Sequence, residues 1–290
     1  MSIVYFTKEI TAQSLIRIYQ ALGITLQGKI AVKISTGEPG GHNYLKPELI
    51  KGLVNLLNGT IVECNTAYEG KRHTNEDSWQ TFKDHGFTAI APCDLMDEEG
   101  EIALPVDRGF HLKENIVGSH LAHYDSMLML SHFKGHAMGG MGGALKNMSI
   151  GVASARGKAL IHCVGDPDFS KIWTADHDSF LESMADADQS VVHYLGSKNL
   201  AYINVANRLS VDCDCDSDPA EPEMADLGIF ASLDPVALDQ ASYDAVVNAK
   251  DPGKKALIER MDSRHAIHTV ESAEKLGLGE RAYRIVSLDK

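Results

Sequence analysis

Short apolar runs alternate along this chain with longer segments whose apolar residues recur at helical spacing. The runs IAVKIS (30–35) and TIVECNT (60–66) are rich in β-branched residues, and the first ends at a Thr-Gly turn, so both predict strands. Between them, PELIKGLVNLLNG (47–59) begins with Pro, ends with Gly and carries leucines at helical spacing. That combination predicts a helix.

The remainder of the chain continues this pattern. Thr74 precedes Asp77 by three residues, a capping-box-like start that predicts a helix over EDSWQTFKDHG, and Asp234 caps PVALDQASYDAVVNA. Further predicted strands are MLML (127–130), LAYINVAN (200–207), LGIFAS (227–232) and RAYRIVSL (281–288), and further predicted helices are DHDSFLESMADADQSVVHYLG and HTVESAEKLGLG (268–279). The glycine-rich stretch 136–151 predicts mostly loop.

This order of elements predicts an α/β fold with a mostly parallel sheet flanked by helices. We interpret residues 1–290 as a single domain, with two sub-domains and a boundary near residues 110–125 as the alternative. In such a sheet, ligands bind in the loops that follow the carboxyl ends of the strands. The candidates for one shared crevice are therefore residues 36–42, 131–147 and 212–217.

Composition argues against two classes of partner. The chain has 27 basic and 40 acidic side chains, and this net charge of −13 does not favour a surface for nucleic acid or for an anionic membrane. Apolar residues make up 44 % of the chain, enough for a sizeable core, but no apolar run is as long as a membrane span. The N-terminus lacks the pattern of a secretory signal, so we expect a cytoplasmic location and cysteines that are thiols or ligands.

The stretch VDCDCDSD (211–218) places two thiols among four carboxylates. In an extended segment, Cys213 and Cys215 would share one face and the aspartates the other. The carboxylates would raise the thiol pKa values and leave poor nucleophiles, unless a divalent cation offset the negative field and took the thiolates as ligands. The alternative is an acidic surface loop with neutral cysteines. A true EF-hand is excluded, because Ser217 stands where the sharp turn of that loop demands glycine.

A second candidate loop is SHFKGHAMGGMGGALKN (131–147), in which two lysines bracket a run of glycines. Glycine allows close approach to a ligand, so a pocket for a phosphate or a carboxylate is predicted, with a glycine-rich turn and solvated lysines as the alternative. The predicted ligand-binding residues are Gly37, Lys134, Gly140, Gly143, Lys146 and Asn147. No P-loop or dinucleotide-binding loop is present in the sequence.

Four histidines are candidates for chemistry. His132 and His136 lie in the second loop, and with His162, in the strand-like ALIHC, they are candidate metal ligands beside Cys213 and Cys215. His42, in the loop between the first predicted strand and helix, and His136 are candidate general bases. For an isolated residue such as His42, a structural role is the alternative.

Several of these segments together resemble the domain-of-unknown-function 362 (DUF362) family, whose members are often described as uncharacterised iron–sulfur centre proteins. The resemblance covers nearly the whole chain and rests on GEPGGHNYLKPELI, NTAYEGKRHTNEDSWQTFKDHGF, SHFKGHAMGGMGGALKN with GKALIH, DCDCDSDP, and DLGIFASLDPVALDQASYD. It implies no established catalytic residues. The positions in matching blocks are His132, Lys134, His136, Asn147, Cys213, Cys215 and Asp226, and Asp226 joins the candidate metal ligands on this ground.

Many members of that family carry a ferredoxin-like segment with C-x2-C-x2-C-x3-C spacing. In this chain Cys163 is the only cysteine between residues 94 and 212, so the segment is absent. A ferredoxin-type 4Fe–4S cluster is therefore not expected.

Three functions stay open from the sequence. The first is a small-molecule-binding metalloprotein, for example a redox or maturation enzyme, with zinc or iron held by cysteine and histidine beside a small anionic ligand. The second is a non-enzymatic electron-transfer accessory or assembly protein with a redox protein as its partner. The third is a metal-free enzyme that acts on a phosphorylated metabolite. No nucleic acid and no membrane is an expected partner, and the sequence does not predict the oligomeric state.

Overall fold

The structure, a computed structural model, describes residues 1–68 and 70–289. Its strands are β1 (Ser2–Thr7), β2 (Ile30–Lys33), β3 (Thr60–Glu63), β4 (Cys93–Leu95), β5 (Glu101–Pro105), β6 (Glu114–Gly118), β7 (Ser126–His132), β8 (Lys134–His136), β9 (Gly140–Gly142), β10 (Leu200–Ala206), β11 (Gly228–Ser232) and β12 (Tyr283–Ser287). Its helices are α1 (Ala12–Ala21), α2 (Pro47–Leu56), α3 (Asn75–Asp84), α4 (Ala144–Ser149), α5 (Ala155–His162), α6 (His177–Leu195), α7 (Pro235–Asn248), α8 (Lys254–Ser263) and α9 (Ile267–Lys275). Among these helices, none combines the length and the apolar character that crossing a membrane requires.

Eight of the strands form one sheet, in the order β12-β1-β11-β10-β7-β2-β3-β4. Neighbouring strands run parallel except where β11 pairs with β1 and with β10. The prediction of an α/β fold with a mostly parallel sheet flanked by helices is therefore confirmed. The other four strands form two hairpins, β5-β6 and β8-β9.

The central strands are buried on both faces, because helices cover each side of the sheet. Along β7, Met127 and Met129 pack into the apolar core on one side, and Leu128 and Leu130 pack into the core on the other. All four side chains are fully buried. This two-sided burial explains why the strand is a continuous apolar run in the sequence.

Two predicted helix starts are confirmed by their caps. The Thr74 side chain accepts a hydrogen bond from the backbone N–H of Asp77, at 3.2 Å, where α3 begins. The carboxylate of Asp234 accepts from the N–H groups of Val236 and Ala237, at 2.9 and 3.0 Å, where α7 begins. Both caps satisfy N–H groups that have no partner inside the helix.

The prediction that residues 136–151 are mostly loop is wrong. This stretch contains the end of β8, all of β9 and all of α4. Gly140 begins β9 with a φ of +74°, so glycine here permits a tight hairpin instead of an open loop. The helix starts only after the last glycine of the run, Gly143.

Candidate functional site

The loops that follow four parallel strands enclose a cavity of about 430 Å³. Residues after β2, β3, β7 and β10 line it, at the carboxyl edge of the sheet. Segments 131–147 and 212–216, whose meeting could not be predicted from the sequence, both contribute to its wall. Segment 36–42 touches them through its backbone, because the N–H of Glu38 donates to the carbonyl oxygen of Asp214 at 2.7 Å.

Cys213 and Cys215 lie on a tight turn and not on an extended segment. The backbone N–H of Asp216 donates to the carbonyl oxygen of Cys213 at 3.0 Å, and the N–H of Cys215 lies 3.3 Å from the Cys213 sulfur. Both cysteines line the cavity, while the Asp214 side chain between them is buried in the protein. The predicted separation of thiols from this carboxylate is therefore present, although the backbone conformation differs from the one expected.

His136 completes a cluster of three side chains that can ligate a metal. One donor atom each of His136, Cys213 and Cys215 lies within 4.8 Å of the other two, and Cys215 Sγ is 3.9 Å from His136 Nε2. The other ring nitrogen, Nδ1, accepts hydrogen bonds from the backbone N–H groups of Met138 and Gly139, at 3.1 and 2.9 Å. One imidazole and two sulfurs form a donor set that suits zinc or iron.

The β8-β9 hairpin is locked against the segment that leads to the cysteines. The N–H of Gly135 donates to the carbonyl oxygen of Ser210 at 2.8 Å. A Cβ atom at Gly135 would lie 2.3 Å from the carbonyl oxygen of Val211, so this close backbone approach requires glycine. The hairpin thereby positions His136 beside the two sulfurs.

Two of the predicted metal ligands lie outside this cluster. His132 is buried, and its ring nitrogens donate to the Asp214 carboxylate at 2.8 Å and to the Asn207 carbonyl oxygen at 2.6 Å. No lone pair of the ring is then left for a metal. Asp226 is exposed and accepts the backbone N–H of Arg208 at 2.7 Å, away from the cavity wall. The ligand role expected of His132 and Asp226 does not fit this geometry.

Three further predicted site residues do not line the cavity either. His42, a predicted base, is exposed, and its Nε2 lies 2.9 Å from a carboxylate oxygen of Glu221. Gly37 has a φ of +80° and packs against Tyr44, and Gly140 shapes the hairpin. Local backbone geometry therefore accounts for both glycines without a ligand.

The other predicted ligand-binding residues do line the cavity, and they are Lys134, Gly143, Lys146 and Asn147. Lys134 is paired with Asp214 at 3.0 Å. Gly143 precedes α4, whose first two N–H groups donate to the carboxylate of Asp239 at 2.8 and 2.9 Å, so this helix start is already satisfied. The ammonium group of Lys146 forms no salt bridge or hydrogen bond within the part of the chain that the structure describes, so its charge is available to a ligand.

Buried charged side chains around the cavity were not anticipated from the sequence. Lys33 is 1 % exposed and contacts Glu63 at 2.7 Å, and Arg72 pairs with Glu38 at 2.8 Å. Lys158, also buried, donates to a backbone carbonyl oxygen at 2.6 Å and has no carboxylate partner among residues 1–68 and 70–289. The cavity therefore holds paired charges together with two lysine ammonium groups that lack a counter-ion.

The aspartates beside the cysteines are neutralised by basic side chains. Burial alone would raise the pKa of Asp214, but His132 and Lys134 hold that pKa at about 2. The carboxylate of Asp212 pairs with Arg260 at 3.1 Å. Much of the negative field that the sequence predicts around the thiols is thus offset by the protein itself.

The two thiols consequently differ in acidity. The pKa of Cys213 lies well below its usual range, because the Cys215 thiol donates a hydrogen bond to it and because Lys146 and His136 are close. The pKa of Cys215 is raised, since it holds the shared proton in a buried position. The pKa of Cys213 is therefore shifted in the direction opposite to the one expected from the nearby carboxylates.

His162 faces the same cavity with a different arrangement of its ring proton. Its Nδ1 lies 2.7 Å from the carbonyl oxygen of Lys158, which can only accept, so Nδ1 carries the hydrogen and Nε2 carries a lone pair. Burial lowers the pKa of this ring to about 4, and the ring stacks on Phe180 with centroids 4.7 Å apart. His162 is therefore a neutral imidazole at pH 7, next to the three-residue cluster but not a member of it.

Comparison with known proteins assigns the chain to a family. Residues 30–244 match the family described as Domain of unknown function (DUF362), and the chain belongs to this family. The resemblance found in the sequence is thereby confirmed. Among curated proteins, none matches the chain.

Two solved structures are similar in fold. A lactate racemase apoprotein from Thermoanaerobacterium thermosaccharolyticum superposes with a TM-score of 0.50 at 13 % sequence identity, over 85 % of this chain and 57 % of that one. A protein from Thermotoga maritima gives a TM-score of 0.48 at 13 % identity, over 82 % and 58 %. This chain thus spans less than two thirds of the length of either protein, and the likeness concerns the fold alone.

Proposed function

We propose that this DUF362 protein is a small-molecule-binding metalloprotein that holds one zinc or iron ion through Cys213, Cys215 and His136 and binds a small anion in the adjoining cavity. The observation that carries the proposal is the convergence of these three donors, from two distant segments, on one wall of a cavity that contains unpaired lysines. A zinc ion with three protein ligands keeps an open position, where it supplies Lewis-acid or bound-water chemistry.

The surrounding residues fit this assignment in charge. Two thiolates that ligate a divalent cation form a neutral unit, and Lys146 would offset the further charge of an anionic ligand beside it. Lys158 offers a second ammonium group to the same ligand. The lactate racemase apoprotein, named for a reaction on a small hydroxy carboxylate, shares the fold, and a carboxylate is one of the anions that such lysines recognise.

The metal site is tested by elemental analysis of protein purified without chelator. We expect one zinc or iron ion per chain in the wild type, and loss of that metal in Cys213→Ser and in Cys215→Ser. Cys93→Ser is the matched control, because Cys93 is half-buried in β4 and does not line the cavity. Metal that is absent from the wild type, or that survives both substitutions, would rule out the proposed ligands.

A second candidate, a metal-free enzyme, is favoured by the tautomer of His136. Because Nδ1 accepts two backbone N–H groups, the proton of the neutral ring is on Nε2, where it faces the sulfurs as a donor and not as a ligand. In that state the Cys213 thiolate and the lone pair of His162 are the reactive groups of the cavity. Wild-type protein that is free of metal, and whose melting temperature rises with inorganic phosphate but not with zinc, would support this candidate over the first.

A further inference from the structure

Two chemically different kinds of side chain line the cavity. The lysines Lys33, Lys134 and Lys158 carry charge, and Ile172 and Trp173 offer apolar surface. A ligand that satisfied only the lysines would leave the apolar surface in contact with water. A pocket with an apolar wall and a few convergent polar groups is typical of sites for small organic molecules, and 430 Å³ lies in the usual range for them.

Trp173 stands at the rim of this cavity and is 72 % exposed. It ends a short 3-10 turn, Phe169–Trp173, which is stabilised by the Asp168 side chain accepting the N–H of Ser170 at 3.2 Å and by a contact between Lys171 and Asp166. Because Trp173 also lines the cavity, its exposed ring is available to a ligand that fills the cavity. An indole ring offers wide apolar contact and loses little conformational entropy when a ligand binds.

Lys158 marks where the charged end of a ligand would sit. Its side chain is 7 % exposed, and its ammonium group donates to the Ala153 carbonyl oxygen without any carboxylate partner in the described part of the chain. A buried ammonium group without a counter-ion is costly, so an anionic group that enters the cavity gains a strong partner there. The neighbouring ammonium group of Lys33 is already paired with Glu63.

We infer that the ligand of this cavity is an amphipathic anion: a carboxylate or phosphate group held by Lys158, joined to an aromatic or branched aliphatic body that packs on Trp173 and Ile172. This inference rests on the proposed function and names the chemical class of its ligand. It sets the site apart from one for inorganic phosphate or for a fully polar metabolite, which would make no use of the indole ring.

The test uses the full chain with Trp79→Phe, which leaves Trp173 as the single tryptophan. Tryptophan fluorescence is titrated with phenylpropionate and phenyl phosphate, with acetate and inorganic phosphate as bare anions and phenylpropanol as the neutral body. At least one phenyl-substituted anion should bind about tenfold or more tightly than both its bare anion and the neutral alcohol. If phenylpropionate binds more tightly than phenyl phosphate, the charged group of the ligand is a carboxylate, and the opposite order identifies a phosphate. Equal affinities for all five probes would overturn the inference.

Substitutions then separate the two halves of the site, with affinities measured by calorimetry. Trp173→Ala should weaken binding of the phenyl-substituted anion about tenfold and leave the bare anion unchanged, whereas Lys158→Met should weaken both. Lys158→Arg, which keeps the charge, should retain most of the affinity, and Lys198→Met, at an exposed lysine away from the cavity, should change nothing. Binding that Trp173→Ala leaves intact would contradict the apolar half.

The ligand-binding experiments test the ligand class separately from the metal site. Trp173 is exposed, so its replacement should not impair folding. If the Lys158→Met protein fails to fold, the comparison of Trp173→Ala with the wild type decides the result. The metal content of the same samples is measured in parallel. A protein without metal that still prefers phenyl-substituted anions would overturn the metal site and support the ligand class. A protein that holds metal but shows no preference for phenyl-substituted anions would support the metal site and overturn the ligand class.

Discussion

The Sγ atom of Cys215 lies 3.9 Å from Nε2 of His136, a residue 79 positions earlier in the chain. The contact exists because β7 and β10 are parallel neighbours, so that the segments following them leave the sheet at the same edge. The β8-β9 hairpin then turns the imidazole towards the sulfurs. A displacement of this hairpin relative to the Cys213–Cys215 turn should therefore separate the donors.

Replacement of Gly135 by alanine tests that dependence. The added Cβ would lie 2.3 Å from the carbonyl oxygen of Val211, so the hairpin and the segment before the cysteines must move apart. We expect loss of the bound metal and a decrease of about 2 kcal/mol in the free energy of unfolding, as is usual for a substitution that overpacks a buried contact. Metal analysis and urea denaturation of the purified variant measure the two effects.

Gly142→Ala is the control for that substitution. Gly142 lies in the same hairpin, and the nearest atom to its added Cβ would be 3.6 Å away, an ordinary van der Waals distance. This variant should keep its metal and lose less than about 1 kcal/mol of stability. Equal losses in the two variants would show that any side chain in the hairpin disturbs the site and that the close approach at Gly135 has no special role.

The thiolate character of Cys213 predicts selective alkylation of the metal-free protein. Because the pKa of Cys213 lies well below that of an ordinary thiol, we expect the thiolate to form already at pH 7 and to react with iodoacetamide about as fast at pH 7 as at pH 9. Lys146→Met, which removes a nearby positive charge, should slow the reaction at pH 7. Peptide mapping by mass spectrometry locates the modified residue.

The same experiment contains its own control. Cys64 and Cys163 are buried, and burial raises the pKa of each thiol, so both should stay unmodified in the folded protein. A Cys213 rate that increases about tenfold per pH unit between pH 7 and pH 8 would show an ordinary thiol and would contradict the shared proton.

Replacement of Asp214 by asparagine should destabilise the protein in a pH-dependent way. The substitution leaves His132 and Lys134 buried without their carboxylate, so we expect a loss of roughly 3 kcal/mol at pH 7. The pKa of Asp214 is about 2 in the folded protein, below its ordinary value of 3.8, so its stabilising effect is complete above pH 3.8 and is lost as the pH falls towards 2. The difference between variant and wild type should therefore be constant from pH 7 to pH 5 and narrow below pH 3.8.

Urea denaturation at several pH values measures this difference, and Asp218→Asn is the matched control. Asp218 is an exposed carboxylate in the same loop. Its replacement should change the free energy of unfolding by less than about 0.5 kcal/mol at every pH. If the Asp214→Asn variant were still less stable than the wild type by the same free energy of unfolding near pH 2, the shape of the Asp214 side chain and not its charge would account for the stabilisation.

The arrangement of strands and helices could be predicted because it depends on local patterns. The apolar runs at 30–35 and 60–66 become β2 and β3, and the caps at Thr74 and Asp234 mark real helix starts. Elements whose patterns are short or weak were not predicted, namely β1, α1, β4, β5, β6 and α8. The strand-like interpretation of ALIHC is wrong, because residues 155–162 form α5. It also mistook the glycines at 139–143 for a loop, because glycine marks both loops and tight hairpins.

The candidate site could be predicted only in part. The sequence indicated its two main segments, 131–147 and 212–217, but their contact depends on the order of strands in the sheet, which no local pattern specifies. The charged residues of the cavity were missed, although a signal existed: Lys33 and Glu63 each lie inside an apolar strand run. A charged residue in such a run must be buried with a partner, and the two strands that carry this pair are neighbours.

His162 gives the last prediction, because its ring proton is fixed by geometry. Nδ1 donates to the carbonyl oxygen of Lys158, so Nε2 carries the lone pair of this cavity-lining ring, and burial holds the pKa at about 4. In a proton NMR titration, the His162 ring should stay neutral from pH 8 down to pH 5. His162→Phe, which keeps a flat ring against Phe180, identifies the resonance.

Since the pKa of His162 is lower in the folded protein than in the unfolded chain, this histidine should make the protein less stable as the pH falls from 6.5 to 4. A measured pKa at or above 6.5 would contradict the burial that lowers the pKa of this ring.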